Sequence, residues 1–237
     1  MVSVRLFFWA SPTERAFAYN TRMAKRTDES DLSAVPLFPL PNVVLFPHAV
    51  LPLHIFEERY KAMTADALEG RRQIAMALLR PGWEKSYHGQ PEIDPTVCVG
   101  TILSHERLAD GRYNFLLQGV TRAKIVREIG DRSYRLAQLE PLAEEPVDET
   151  ELAGERQRLA MAFQDPRLRS TGIGRRFRQM LDGSIPTAII SDLVAFNFLD
   201  HVPLKQSLLA DCDVRRRVGR VVEAFELQYS HLQPNLN

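Results

Sequence analysis

The chain has 237 residues, 45% of them apolar, which is enough for the packed core of one large domain or two small ones. Thirty basic residues balance 30 acidic residues, so no overall charge draws the protein to nucleic acid or to an anionic membrane. The two cysteines, Cys98 and Cys212, lack the spacing of a zinc site or a disulfide framework, and no apolar run approaches the roughly 18 residues that cross a bilayer, so we expect a globular cytoplasmic protein.

Residues 1–33 differ in composition from the rest and are predicted to form a disordered extension. Between Met1 and Arg26 five basic residues stand against one acid, with several aromatic side chains among them, as in an organellar transit peptide. The alternative, which we favour, is an upstream extension from a misassigned start, with Met23 as the natural beginning. In either case we expect the ordered chain to begin near Ala34.

The first elements after Ala34 are predicted to be short strands and one helix. In residues 35–53 apolar positions alternate with five prolines, which confine strands to edges and bends because proline donates no hydrogen bond. Residues 56–69 carry apolar side chains at helical spacing, beginning with Phe56, and Gly70 follows at the expected carboxyl end. Residues 73–80 fit a buried strand, although their periodicity does not exclude a helix.

An irregular stretch at residues 81–91 is the strongest candidate for a binding loop. It is long for an ordered connection, and such loops commonly carry function. Trp83 and Tyr87 are aromatic anchors of the kind that hold extended peptide, and His88 stands beside them. The aromatic rings could equally fold back over the end of the sheet, and the sequence leaves both possibilities open.

Residues 96–142 carry a continuous strand signal. Separators at 109–111 and 130–132 have hairpin turn chemistry. The predicted strands are 97–103, 112–120, 123–128 and 134–139. We therefore expect a mostly antiparallel, closed or nearly closed sheet in which Cys98 is a buried strand residue.

The chain after Pro141 is predicted to be helical. An acid-rich segment, 144–149, serves as a linker, and helices follow at 151–163, 173–181 and 204–210. Between the last two, Ser184 is expected to cap a helix that reaches Pro203. That helix is expected to bury Ile189, Leu193 and Phe196.

The last predicted helix is capped by Asp213 and has one apolar face. This face comprises Val214, Val218, Val221, Phe225 and Leu232. The arginines at 215, 216, 217 and 220 could hold an acidic partner or phosphate. We favour a solvated face, because no aromatic side chains alternate with them as they do in nucleic-acid sites.

Three stretches, in this order, resemble the amino-terminal domain of Lon proteases. They are PLFPLPNVVLFP with LPLHIFEERY at 36–60, LLQGVTRAKI at 116–125, and LKQSLL at 204–209 followed by Asp213. The second resembles the family's strand, tight turn, arginine and strand. The resemblance spans about residues 34–232 and implies an α+β fold, a PUA-like β-barrel with one inserted helix (34–142) followed by a helical bundle (143–237).

The sequence lacks the ATPase and peptidase motifs of full-length Lon proteases. No glycine is followed by lysine, so the phosphate loop of an AAA+ ATPase is missing, and the chain ends at Asn237 before a Ser-Lys peptidase. The 83–91 loop and the CVG sequence at 98–100 are similar to free-standing bacterial members of the family. We therefore predict a protein that is not an enzyme and needs no cofactor.

No histidine or carboxylate pattern predicts a catalytic or metal site. The six histidines show no short ligand spacing of the kind that zinc requires. His54 could act as a base towards a hydroxyl, but we favour a packing role where a strand enters the helix. Glu57, Glu58 and Arg59 are better explained as a solvated helix start than as paired catalytic groups.

The predicted function is non-catalytic binding of unfolded or extended protein segments, or of a protease or chaperone partner. Binding would use β-augmentation or an apolar groove. One alternative is a stand-alone hydrolase or peptidase, which the missing nucleophile and base argue against. Another is an RNA binder, since PUA-like barrels occur in RNA-modifying proteins, and the neutral charge argues against that.

Overall fold

The computed structural model describes residues 32–86, 89–130 and 132–230. The predicted disordered extension lies outside these residues except for Leu32 and Ser33. Leu32 is buried, and its carbonyl accepts a hydrogen bond from the Leu139 amide at 2.8 Å. Packed structure therefore includes Leu32, two residues before the predicted start at Ala34.

The first half of the chain contains six strands and one helix among the described residues. The strands are β1 Val35–Leu40, β2 Val50–Ile55, β3 Gln73–Leu78, β4 Thr96–Arg107, β5 Tyr113–Ile129 and β6 Arg135–Pro141, with α1, Glu58–Glu69, between β2 and β3. The inserted helix and its end at Gly70 are confirmed. The strand at 73–78 resolves the ambiguity that its periodicity left open.

The strands form one mixed sheet in the order β2-β5-β4-β3-β1-β6. Among the described strands five pairings are antiparallel, and only β1 with β3 is parallel. β6 pairs with both β1 and β5, so the chain of pairings leads back to β5. β2 pairs with the first part of β5 and stands at the end of the order.

One expectation about β5 is wrong. The predicted strands 112–120 and 123–128, with a tight turn between them, are a single strand of 17 residues. Its pairing with β4 shifts register at this point, so that Thr121 is opposite Val99 and Gly119 is opposite Gly100. Val120 is the extra residue, and such a bulge bends a strand without ending it. The strand continues on both sides of it, since β2 pairs with its first part and β6 with its last.

Two faces of the sheet pack into two different cores. Along β3, Ile74 and Met76 belong to the large core, whereas Ala75 and Ala77 belong to a second core on the opposite face. Small side chains dominate this second core, which includes Val97, Val99, Ala123 and Ala137. The alternation follows the two-residue repeat of a strand.

The second half is helical from Glu149 onward. After a 3-10 turn, Glu149–Leu152, come α2 Ala153–Ala162, α3 Pro166–Arg169, α4 Gly172–Asp182, α5 Thr187–Phe198, α6 Val202–Leu209 and α7 Val214–Ser230. Phe163 lies at the centre of its core, with the rings of Phe177, Phe198 and Phe225 at centroid distances of 5.1–5.3 Å. The large core is continuous across both halves of the chain. No helix in the described part of the chain combines the length and apolarity that a membrane span requires.

The prediction for α5 is wrong in its cap and in its buried face. The helix begins at Thr187, whose amide and hydroxyl both donate to the Glu149 carboxylate at 2.7 and 2.8 Å, so Ser184 does not cap it. The buried apolar residues are Ile190, Val194, Ala195 and Phe198, whereas Ile189, Leu193 and Phe196 are only partly buried. The helix is apolar on most sides, so its sequence did not single out one face.

The prediction for α7 holds in its cap and its apolar residues. The Asp213 carboxylate accepts a hydrogen bond from the Arg216 amide at 2.9 Å. Val214, Val218, Val221 and Phe225 are all buried. The predicted face also included Leu232, which lies outside the described residues.

Candidate functional site

A groove of about 610 Å³ opens on the β-rich half. Its lining comes from β1 (37–40), β2 and the turn after it (53–57), the start of α1 (Arg59, Tyr60), the loop residues 89–91 with Leu79, and the β5–β6 connection with the start of β6 (128–130 and 132–136). Elements far apart in sequence therefore build one concave surface. A groove of this volume is large enough to hold several residues of a peptide.

One wall of the groove is formed by β2, a strand at the edge of the sheet. Its residues Leu53, His54 and Ile55 line the groove, and among the described strands β2 pairs only with β5. Its other edge therefore has no strand partner within the residues that the structure describes. Pro52 lies in this strand, where a residue without an amide proton fits an edge. An extended segment can add to such an edge through backbone hydrogen bonds.

Aromatic side chains provide the apolar surface of the groove. Phe38 and Tyr60 pack with ring centroids 4.5 Å apart and are buried. Phe56 was expected on the buried face of the helix, but α1 begins two residues later, and Phe56 is 42% exposed. Its ring stacks near His54 at 6.2 Å. The groove thus has a large apolar side chain accessible to a ligand.

The charged side chains around the groove are paired with one another. Arg59 contacts Glu57 at 3.0 Å and lies over the Tyr60 ring, and Arg135 contacts Glu128 at 2.5 Å. Glu58 contacts Lys61 at 2.5 Å, which agrees with a solvated helix start. These pairs leave little net charge to attract phosphate.

A polar link joins the β5–β6 connection to α1. The Tyr134 hydroxyl donates to the Asp66 carboxylate at 2.6 Å, and Arg132 contacts both groups. The pKa of Tyr134 is raised to about 12. The largest cause is partial burial of the hydroxyl, and the second is its hydrogen bond to Asp66. The link holds one wall of the groove against the helix.

The contacts of His54 with the described residues do not suit a catalytic base. Its Nδ1 lies 2.7 Å from the Asn114 side-chain oxygen, and its Nε2 lies 3.4 Å from Arg112. Neither partner is a hydroxyl or thiol nucleophile. Within the described ranges, no group of three or more His, Cys, Asp or Glu side chains is placed to hold a metal ion.

The sequence-predicted binding loop reaches the groove through its last residues. Trp83 begins a 3-10 turn, Trp83–Ser86, and is half-buried. Tyr87 and His88 lie outside the described residues. Gly89, Gln90 and Pro91 line the groove, whereas Trp83 is not among the lining residues. The sequence predicted an apolar groove or a strand edge but not its position, because the edge strand is defined only by the sheet order.

An ion cluster of three buried side chains, Arg122, Asp192 and Arg217, and the partly exposed Glu144 joins the two halves. Arg122 contacts Glu144 at 2.7 Å and Asp192 at 2.6 Å, and Arg217 contacts the same two carboxylates at 2.7 and 3.3 Å. Arg217 is fully buried, so its assignment to a solvated face is wrong. Arg217 lies three residues after Val214 and four before Val221, which places it on the apolar face of the helix. This spacing could have predicted its burial.

The charges of the ion cluster compensate each other. Burial alone lowers the pKa of Arg122, but the nearby Asp192 and Glu144 carboxylates outweigh it, and the pKa is raised above its ordinary value. A small cavity of about 150 Å³ beside the cluster is lined by all four residues. Because each carboxylate is already bound by two guanidiniums, the cluster fits a structural role better than a catalytic one.

The buried thiol of Cys98 should be unreactive in the folded protein. It lies in β4, fully buried as expected, and burial raises its pKa to about 12. In the unfolded chain the thiol ionises near pH 9, so we expect this contribution to stability to be complete below pH 9 and to decline as the pH rises towards 12. With Ellman's reagent at pH 8, only the partly exposed Cys212 should react before denaturant is added. Rapid reaction of two thiols without denaturant would contradict this.

Comparison with known proteins identifies the family. The family model described as the ATP-dependent protease La (LON) substrate-binding domain matches residues 34–226. The Lon protease of Desulfosudis oleivorans is 24% identical over 210 residues, covering 89% of this chain and 26% of that protein. Lon protease 2 of Desulfotalea psychrophila is 28% identical over 203 residues, covering 84% of this chain and 25% of that protein. The chain thus spans about a quarter of the length of these relatives.

Solved structures show the same fold. The N-terminal domain of the Mycobacterium avium complex Lon protease superimposes with a TM-score of 0.65 at 15% identity, over 82% of this chain and 98% of that one. A Lon N-terminal domain protein from Xanthomonas campestris gives a TM-score of 0.58 at 22% identity, over 85% and 99%. With the family match over most of its length, the chain belongs to the Lon substrate-binding domain family.

Proposed function

We propose that this chain is a non-catalytic binding module that takes extended segments of unfolded proteins into the groove. The observation that carries the proposal is the juxtaposition of an edge strand, β2, with an apolar groove that it lines. Backbone hydrogen bonds to β2 would not depend on the sequence of the ligand, and alternate side chains of the ligand would enter the groove. Binding of this kind is broad and weak.

Membership of the Lon substrate-binding domain family supports a binding role and a more detailed interpretation of the fold. The family model that matches residues 34–226 describes a substrate-binding domain, and we extend this binding role to the chain. We interpret the strand pairings that lead back to β5 as a PUA-like barrel, followed by a helical bundle. In these terms residues 34–142 and 143–237 are two subdomains that share a core. A cytoplasmic setting fits the two separate free thiols.

The loop at 81–91 is part of the proposed site. Its residues Gly89, Gln90 and Pro91 line the groove, so a ligand there would pass close to the preceding residues. We propose that Trp83, Tyr87 and His88 contact the part of the ligand that leaves the groove. The ligand could equally be a segment of a protease or chaperone partner, because the same backbone contacts would form.

The rival functions find less support in the groove. A stand-alone hydrolase needs a nucleophile within hydrogen-bond reach of a base, and the His54 ring contacts Asn114 and Arg112 instead. RNA binding needs cations that are free to contact phosphate, and Arg59 and Arg135 are paired with acids. Protein binding requires neither feature.

Replacing Phe56 with aspartate is expected to weaken the binding of dephosphorylated casein about tenfold, because an accessible aromatic anchor is lost. Val126→Asp is the matched control, since Val126 is 53% exposed on β5 and does not line the groove. Binding is measured by fluorescence anisotropy with labelled casein at about 0.3 M salt, where exposed charge pairs are screened.

The same samples separate binding from catalysis. Casein should remain intact after prolonged incubation with the chain, with or without ATP. Equal binding by Phe56→Asp and Val126→Asp would refute the groove as the site. Cleavage of casein that a single substitution abolishes would replace the binding module with a peptidase.

A further inference from the structure

The corner formed by α3 and α4 carries a dense group of arginines on a protein without net charge. Between Pro166 and Met180 there are five arginines and no acidic residue. They are Arg167, Arg169, Arg175, Arg176 and Arg178, here called the basic corner. All are exposed except Arg178, which is partly buried. The corner shares no residue with the groove.

The fold brings the two short segments of the basic corner together. On α4, Gly174, Phe177 and Leu181 are buried, so the arginines occupy the remaining sides of the helix. A side chain at Gly174 would lie 2.0 Å from the Leu168 carbonyl oxygen, so α3 and α4 approach closely there. Arg175 donates to the Ser170 carbonyl between the two helices at 2.8 Å.

Three of the five arginines of the basic corner have no carboxylate partner among the described residues. Arg167 pairs with Asp165 at 2.6 Å. No carboxylate in the described part of the chain lies within 4 Å of Arg169, Arg175 or Arg178. Among the described residues, the exposed Arg72 and Arg127 also lack a carboxylate within that distance, so the basic corner is distinguished by its density, with three arginines that lack one in residues 169–178.

We propose that the basic corner binds an acidic segment of another protein. Guanidinium groups present paired donors that match the two oxygens of a carboxylate. Ile173 is 40% exposed among the arginines and offers contact to an apolar side chain of the same segment. Single-stranded nucleic acid is favoured less, because the aromatic ring of α4, Phe177, is buried and cannot stack on a base.

The proposal is tested with two labelled probes of matched charge, a polyglutamate peptide and an oligothymidylate, in anisotropy titrations at low salt. The full chain should bind polyglutamate, and Arg175→Glu with Arg178→Glu should weaken this binding at least about tenfold. Lys124→Glu with Arg127→Glu is the matched control, since it makes the same charge change on exposed positions of β5. If the double variant does not fold, Arg169→Glu, which alters only an exposed residue of α3, replaces it in the polyglutamate titration.

Each outcome decides the proposal. Loss of polyglutamate binding in the corner variants but not in the control supports it. Absence of polyglutamate binding, or equal loss in the control, overturns it. Tighter binding of oligothymidylate that the corner variants abolish also overturns it, in favour of a phosphate polymer. Phe56→Asp should not change polyglutamate binding, so failure at the groove is distinguishable from failure at the basic corner.

Discussion

Replacing Arg217 with methionine is expected to lower the free energy of unfolding by about 3–5 kcal/mol. The side chain is fully buried and contacts Glu144 and Asp192, so its removal leaves two carboxylates facing the single guanidinium of Arg122. An uncompensated charge in a buried site is much more costly than a missing surface pair. Urea denaturation at neutral pH measures the change.

Arg215→Met on the same helix is the matched control. Arg215 is 66% exposed at its side chain and pairs with Glu151 at 3.1 Å, so its replacement should change stability by less than about 1 kcal/mol. Adding Asp192→Leu to Arg217→Met should restore part of the lost stability, because it removes the excess negative charge. Equal destabilisation by the Arg217 and Arg215 variants would mean that the ion cluster does not hold the two halves together.

Replacing Gly119 with alanine is the second large effect that we expect, with a loss of at least about 3 kcal/mol in the free energy of unfolding. The added methyl group would lie 2.1 Å from the Phe46 carbonyl oxygen, and this atom belongs to backbone that cannot rotate away. Gly119 also exchanges backbone hydrogen bonds with His48 and Ala49 at 2.8 and 2.9 Å. Relief of the clash would therefore break this pairing.

The control for Gly119 is Gly219, which lies in α7 and would place a new methyl group in open space. Gly219→Ala should raise stability by roughly 0.5–1 kcal/mol, because alanine favours the helix. Chemical denaturation of both variants provides the measurement. If Gly119→Ala is as stable as the parent protein, the close approach of β5 to the segment before β2 is not a constraint on this fold.

Elements with strong local signals could be predicted from the sequence. The hairpin glycines Gly111 and Gly130 both adopt positive φ, at 80° and 87°, as their turn chemistry requires. Asp213 caps α7, and Gly70 follows α1 as expected. In these cases the few residues around a position determine its conformation. The family resemblance added the order of the halves, which local patterns do not contain.

Features that depend on distant partners could not be predicted. Gly119 has the sequence context of a turn, but its role is defined by Phe46, which is 73 positions away in the chain and approaches only in the folded sheet. Arg217 is charged, and its burial depends on carboxylates from the linker and from α5. The groove depends on the sheet order that leaves β2 at an edge. Non-local pairing decides each of these features.

Hydrogen–deuterium exchange with dephosphorylated casein tests most directly whether an extended segment binds at the β2 edge. Our account predicts that casein slows amide exchange in β2, Val50–Ile55, and in the groove residues 37–40, while exchange in α5 and α7 is unchanged. At a casein concentration near the Kd of the parent protein, Phe56→Asp should remove most of this protection, because its affinity is expected to be about tenfold lower. Protection confined to the helical half, or protection of β2 that is equally strong in Phe56→Asp, would contradict binding in the groove.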